Sequence, residues 1–282
     1  MKRSMLLTLL VTLIALLAVP GFAQTMEYGF NATMDTYTPI TGGLQLGTET
    51  TDDQRFVDPA DLVGGTTLTG PGLPIGFDFM FNGATFDRLA VNANGWISLG
   101  QSALTPSVSM ATTSAYTPIA STTVITPEVL TNRIAGMARD LQSQAGGGIR
   151  LETIGAAPNR VCVIQWENYK KFGTTGTGDQ MNFQIRLHEG SNNVSIVYGD
   201  IVSNATNGNM QVGLRGPLVT DFNARAGDGA WNNTTAATAN NQYVVLNDVN
   251  FPANGLTFTS HIPWQMLLRT LQISLFPQTR QP

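Results

Sequence analysis

The feature that most constrains the fold of this chain is the alternation of residue types in LPIGFDFMFNG, residues 73–83. Every second residue is large and apolar: Ile75, Phe77, Phe79 and Phe81. The residues between them are Gly76, Asp78, Met80 and Asn82. Successive side chains of a strand point to opposite faces of a sheet, so this period of two predicts a half-buried β-strand.

Further segments of this kind follow along the chain, separated by turn-forming residues roughly every 10 to 15 residues. They lie at 88–100, 133–141, 148–155, 160–169, 181–190, 191–200, 209–216 and 241–248. The segment at 160–169 is apolar on both faces, and in 181–190 we expect Asn182, Gln184, Arg186 and His188 to point outward. We find no helical periodicity before residue 262. The series predicts an all-β fold: one antiparallel, jelly-roll-like β-sandwich with long polar loops over residues 24–260.

The segment LAVNANGWISLG, residues 89–100, contains Asn94-Gly95, a strong signal for a β-hairpin turn. A loop of residues 94–95, or of 92–95, places Trp96 on the same face as Leu89 and Val91. Ile97 and Leu99 then point the other way. Both faces of this strand are apolar, so we expect Trp96 to lie in the core. We expect the long Ser/Thr/Pro-rich loop at 101–132 to cover the second face.

The chain begins with the features of a secretory signal peptide. Lys2 and Arg3 precede an apolar run from Leu6 to Val19, and small residues precede a cleavage site before Gln24. The run is shorter than the roughly 20 residues that span a bilayer. We therefore expect residues 1–23 to be removed, leaving no transmembrane segment and a secreted or cell-surface protein.

The tail at 261–282 differs from the rest in composition and contains no acidic residue. Trp264, Leu267, Leu268 and Leu271 have the spacing of one helical face. The tail is a short amphipathic helix, a poorly ordered end, or an out-of-frame or truncated terminus, and the sequence leaves these alternatives open.

The net charge and the small numbers of cysteine and histidine residues disfavour several functions. Loss of Lys2 and Arg3 with the leader takes the net charge from −4 to −6, which disfavours nucleic acid and anionic membranes as partners. Cys162, the single cysteine, lies between apolar residues in RVCVIQW and is predicted to be a small buried hydrophobe. A total of two histidines disfavours a zinc site, and the G-x-S-x-G and H-E-x-x-H motifs are absent. A glycoside hydrolase needs only two suitably spaced carboxylates, so that alternative stays open.

A cluster of acidic residues in TTDDQRFVDPAD raises the question of a calcium site. Its members are Asp52, Asp53, Asp58 and Asp61. Calcium prefers several carboxylate and carbonyl oxygens from one loop, although this spacing does not fit an EF-hand. The competing interpretation is a solvated loop with turn-forming aspartates.

Sugar binding by a β-sandwich would use exposed aromatic side chains beside amides or carboxylates. Trp231, in the polar loop GDGAWNNTT, is the best candidate for an exposed ring, with Asn232 and Tyr169 as further ligand contacts. Trp166 alternates with core residues of a central strand, and we expect it to be buried.

Several motifs occur in an order that resembles a known family: YTPITGG, IGFDFMFNG, LAVNANGWISLG, IAGMARDL, APNRVCVIQWENY, MNFQIRLHEG and VSIVYG. Over roughly residues 28–260 the chain resembles a bacterial secreted β-sandwich module and is similar to nidogen-like extracellular domains. Such modules stand at the N-terminus of surface proteins with fibronectin-type repeats and C-terminal sorting domains. Where the family often has Pro-Phe-Trp-Asp-Asp, this chain keeps only Asp140 of the acidic pair, which weakens an acidic site there.

The resemblance implies a non-catalytic extracellular module for binding or adhesion, with a glycan or an extracellular protein as its partner. The alternatives are a passive scaffold of a cell-surface assembly and, less favoured, a secreted glycoside hydrolase.

Overall fold

The computed structural model describes residues 25–102, 108–109, 116–120, 132–173 and 178–262. The predicted signal peptide and nearly all of the tail at 261–282, with its candidate helix, lie outside these residues. Over the described ranges no helix is long and apolar enough to cross a membrane.

The described residues form β-strands of 2 to 14 residues and two single-turn 3₁₀ helices, Thr25–Glu27 and Trp231–Asn233. The strands are β1 (Gly29–Met34), β2 (Leu44–Leu46), β3 (Arg55–Phe56), β4 (Thr69–Gly70), β5 (Leu73–Phe81), β6 (Ala84–Asn92), β7 (Trp96–Gly100), β8 (Val108–Ser109), β9 (Arg133–Ala138), β10 (Leu141–Ile154), β11 (Val161–Lys171), β12 (Gln180–His188), β13 (Val194–Val202), β14 (Gly208–Arg215), β15 (Phe222–Ala226), β16 (Thr235–Ala236), β17 (Val244–Leu246) and β18 (Leu256–His261).

These strands form two large sheets. Sheet 1 has the order β1-β18-β13-β12-β11-β10-β2, and sheet 2 has the order β16-β15-β14-β9-β7-β6-β3, with β17 on β14 and β5 on β6. A small third sheet pairs β4 with β8. The strand pairs are antiparallel, which confirms the predicted all-β sandwich.

The core lies between the two sheets. The alternation in β5 is confirmed, because Ile75, Phe79 and Phe81 are buried in this core. Trp166 is also buried, as predicted, and stacks on Phe183 with ring centroids 4.9 Å apart. Cys162 is a buried free thiol, and burial raises its pKa to about 12. These side chains hold the two sheets together and take no part in an accessible site.

The hairpin between β6 and β7 departs from the predicted arrangement. Asn92 pairs with Trp96, so three residues, 93–95, form the loop. The predicted loops had an even number of residues, two or four. A loop of three residues places each side chain of the returning strand on the opposite face of the sheet from the predicted one. Ile97 and Leu99 therefore face the core, and Trp96 lies on the outer face of sheet 2. The predicted faces were wrong, but the predicted burial of Trp96 is confirmed.

A segment of the long loop after β7 covers that outer face. Ile119 packs into a second apolar cluster with Trp96, and its N–H donates to Gln211 Oε1 at 2.9 Å. Two buried arginines, Arg133 and Arg215, each donate to the carbonyl of Pro118. Residues 116–120 therefore act as the predicted cover, while most of the loop lies outside the described residues.

The outer face of sheet 1 is covered as well, by the chain between β1 and β2. Gln184 points outward, as predicted, but it is buried there under the covering segment, where its amide donates to the Thr38 carbonyl at 2.8 Å. Gln165 accepts from the N–H of Ile40 at 2.9 Å. Asn182 is buried too, so this part of β12 is covered on its outer face as well as on its core face.

Candidate functional site

Trp231 does not present its ring to solvent, contrary to the sequence-based prediction. Only 1% of the residue is exposed. The ring packs edge-on against Tyr198, with centroids 5.2 Å apart, and the indole N–H donates to the Val245 carbonyl at 3.0 Å. A tryptophan in a polar loop anchors that loop when its ring reaches the core and its N–H finds an acceptor. Here Trp231 is such an anchor.

The other two predicted ligand contacts do not join it. Tyr169 is fully buried, chiefly because it lies inside the sandwich on β11, and burial raises the pKa of its hydroxyl. Buried in this way, Tyr169 offers no ring surface to a ligand, which contradicts its predicted role as a ligand contact. Asn232 is exposed on the 3₁₀ helix beside Trp231. The structure does not bring the three residues together into one site.

An open cleft of about 420 Å³ lies beside the Trp231 loop. Its lining includes Gly227, Asp228, Thr235, Asn241, Tyr243 and Val245. Two backbone hydrogen bonds shape one wall: the Gly227 N–H donates to the Tyr243 carbonyl, and the Val245 N–H donates to the Gly227 carbonyl. On the other wall the Thr235 hydroxyl donates to the Ala226 carbonyl. The cleft is thus built on regular backbone pairing.

Tyr243 is the exposed aromatic side chain of this cleft, with 41% of its surface accessible. Asp228, Asn241 and Thr235 add a carboxylate, an amide and a hydroxyl, and the described residues of the lining include no lysine or arginine. Sequence reasoning missed Tyr243, although NQYVVLND carried the signal. Val244 and Leu246 alternate with Tyr243 and face the core, so the tyrosine must face outward.

The predicted acidic cluster divides into two parts. Asp61 accepts hydrogen bonds from the backbone N–H groups of Gly65, Thr66 and Thr67. Hydrogen bonds from Thr67, assisted by Thr66, lower its pKa to about 2. Asp58 accepts from the N–H of Ala60. These two aspartates shape their own turns and do not meet the other acids, so the prediction of one four-aspartate site was wrong.

Asp52 and Asp53 instead meet Asp140, and one carboxylate oxygen of each lies within 4.8 Å of the others. The hairpin turn holds this acidic trio, because Asn94 donates to Asp53 at 2.9 Å and accepts from the Leu141 N–H at 2.8 Å. Burial raises the pKa of Asp52 to about 6, assisted by Asp53 and Asp140. Three such carboxylates could supply oxygen ligands to a hard cation.

One serine–histidine contact in sheet 1 and one carboxylate of the Tyr243 cleft bear on the open question of hydrolytic chemistry. His188 Nε2 lies 3.0 Å from Ser195 Oγ, but Ser195 is buried within sheet 1, and burial lowers the pKa of His188. Among the described residues that line the Tyr243 cleft, Asp228 is the one carboxylate, whereas a glycosidase needs a pair across the substrate.

The described residues thus define an antiparallel β-sandwich module with an open polar cleft and a separate acidic trio. A family model described as nidogen-related matches residues 27–260, most of the 282-residue chain. The chain therefore belongs to the nidogen-related family. That family is extracellular, which fits the predicted secretion. Searches of curated proteins and of solved structures gave no match.

Proposed function

We propose that the chain is a non-catalytic extracellular binding module and that the cleft at Tyr243 takes a neutral carbohydrate. The observation that carries this proposal is the exposed Tyr243 ring beside the polar groups of Asp228, Asn241 and Thr235. An aromatic face packs against the C–H surface of a sugar, and a few convergent polar groups bind its hydroxyls.

The charge and the volume of the cleft indicate which class of ligand it binds. Asp228 is the charged residue of the lining, and the whole chain carries a net charge of −4, so a polyanionic ligand is disfavoured. The cleft volume of about 420 Å³ falls in the range of small-ligand sites. A protein partner usually needs about 800 Å² of surface on each side. These features favour a glycan over an extracellular protein.

The proposal is tested on a glycan array with the secreted, labelled protein. We expect binding of neutral glycans by the wild type, a loss of about tenfold or more with Tyr243→Ala, and retention with Tyr243→Phe, which keeps the ring. Phe251→Ala is the matched control, because Phe251 is similarly exposed but does not line the cleft. Thermal melting shows that each variant folds.

Two results would overturn this function: a folded wild type that binds no glycan, or full binding by Tyr243→Ala. The first result would favour the passive scaffold, and sedimentation at high concentration would then reveal self-association.

We also propose that a calcium ion binds at the acidic trio of Asp52, Asp53 and Asp140, and at no other place in the described residues. Asp52 and Asp53 precede β3 and Asp140 precedes β10, so a bound cation would tie two connections between the sheets together. Its role there is structural, since the trio does not line the Tyr243 cleft.

A further inference from the structure

The end of β11 carries a lysine that is fully buried. Lys171 has no exposed surface, and its Nζ lies 2.9 Å from Asn204 Oδ1, 2.9 Å from Ser203 Oγ and 2.6 Å from the Thr206 carbonyl. The Asp179 carboxylate lies 3.5 Å from the same nitrogen. Lysines are almost never fully buried in proteins unless they are paired. Lys171 is paired with Asp179, and the amide of Asn204 lies at the same nitrogen.

The surroundings keep water away from the amine. Lys171 Cδ lies 2.9 Å from the position that a Cβ on Gly208 would occupy. The aliphatic part of the lysine side chain therefore packs directly against Gly208. Burial lowers the pKa of Lys171, with the Asp179 carboxylate opposing that effect. This burial makes the neutral amine, which is the nucleophilic form, easier to reach than in a solvated lysine, while the surrounding oxygen atoms favour the ammonium form.

The backbone fixes the three side chains relative to one another. Asp179 accepts from the backbone N–H of Lys171 at 3.1 Å and from that of Asn204 at 2.8 Å. A carbonyl bond is about 1.2 Å long, so Asn204 Cγ lies no more than about 4 Å from Lys171 Nζ. The Thr206 N–H donates to Asn204 Oδ1 at 3.0 Å, where negative charge would develop during attack on Cγ.

We propose that Lys171 and Asn204 form an intramolecular amide bond. Lys171 Nζ attacks Asn204 Cγ, and Asp179 accepts the proton that Nζ releases. The Nζ–Cγ bond forms, the Cγ–Nδ2 bond breaks, and Nδ2 leaves with that proton as ammonia. An amine and a primary amide thus give a secondary amide and ammonia, with no change in oxidation state and no further reactant.

The bond would connect the end of β11 to the loop after β13 and close the chain between residues 171 and 204. A covalent cross-link restricts the unfolded chain in the way a disulfide does. This chain has one cysteine and cannot form an internal disulfide. An amide link would serve the same purpose and would resist reduction.

The mass of the denatured secreted protein tests the proposal, with the expected loss of one ammonia. An amino-terminal glutamine that cyclises loses the same mass, so the bond must be located by digestion. Trypsin cuts after Arg186, between the two residues, and the link would hold peptides 171–186 and 187–215 together as one species.

Asn204→Ala and Lys171→Met should each release the two peptides, whereas Asn207→Ala, at an exposed neighbouring asparagine, should keep them joined. Separate, unmodified peptides from the wild type would overturn the proposal without recourse to any variant. Loss of one water within peptide 171–186 would overturn it as well, because that loss places the bond on Asp179.

Discussion

At the scale of single residues, Trp231 shows that polar neighbours in the sequence do not make a side chain exposed. Its flanking residues are small or polar, yet its ring reaches Tyr198 and its indole N–H binds the Val245 carbonyl. We expect Trp231→Ala to lower the free energy of unfolding by about 3–5 kcal/mol, as for other large buried aromatics. Trp231→Phe, which keeps a ring but loses the N–H, should cost about 1–3 kcal/mol. Urea denaturation measures both.

Asn232→Ala is the control for Trp231, because the neighbouring asparagine is exposed and should change stability by less than about 0.5 kcal/mol. A Trp231→Ala variant with wild-type stability would contradict the anchoring role and restore the ring as a candidate ligand contact.

Asp61 gives a pH dependence with a definite sign. Hydrogen bonds from Thr67 and Thr66 lower its pKa to about 2 in the folded protein, below the roughly 3.9 of an unfolded aspartate. Its contribution is therefore present above pH 4 and is lost as the pH falls towards 2. Asp61→Ala should cost about 1 kcal/mol at pH 7, the usual loss when a side chain that caps backbone N–H groups is removed. Denaturation at pH 7 and pH 2.5 should show the difference shrinking; an equal cost at both would contradict this account.

At the scale of elements, the hairpin between β6 and β7 depends on Gly95. Its φ is +82°, and an added Cβ would collide with the Met137 carbonyl oxygen. Gly95→Ala should therefore lose about 1–2 kcal/mol for the left-handed conformation and more for the collision. Gly146→Ala is the matched control, because Gly146 has φ +78° with open space around its Cβ position. Equal losses in unfolding free energy would show that the collision is relieved without cost.

The strands and loops also show which parts of the fold could be predicted from the sequence. The strands β5, β9, β11 and β13 follow from alternation and apolar runs, because those patterns depend on neighbours in the chain. The face of Trp96 was not predictable, since it depends on whether the loop has two residues or three. The covers over Gln184 and Trp96 come from residues 35–40 and 116–120, which are distant in sequence. No pattern of neighbouring residues predicts which distant segment of the chain covers the outer face of a sheet.

At the scale of the whole molecule, the acidic trio follows from the way the chain crosses between the sheets. One crossing runs from β2 in sheet 1 to β3 in sheet 2, and the other runs from β9 in sheet 2 to β10 in sheet 1. They lie side by side, because Asp52 pairs with Gln142 as an isolated bridge. This proximity brings Asp140 to Asp52 and Asp53, while Asp58 and Asp61, nearer in sequence, remain apart. The order of acids along the chain was thus a poor guide to the site.

Asp52→Asn distinguishes a cation site from a strained acidic cluster. In chelator at pH 8 the substitution should raise the melting temperature, because it removes one of three partly buried carboxylates that repel one another. In calcium at about ten times its dissociation constant, the wild type should gain about 1.4 kcal/mol and the variant much less. Asp58→Asn, outside the trio, should respond to calcium like the wild type. A melting temperature that calcium does not change in the wild type would exclude a calcium site and leave the trio as a source of strain between the two crossings.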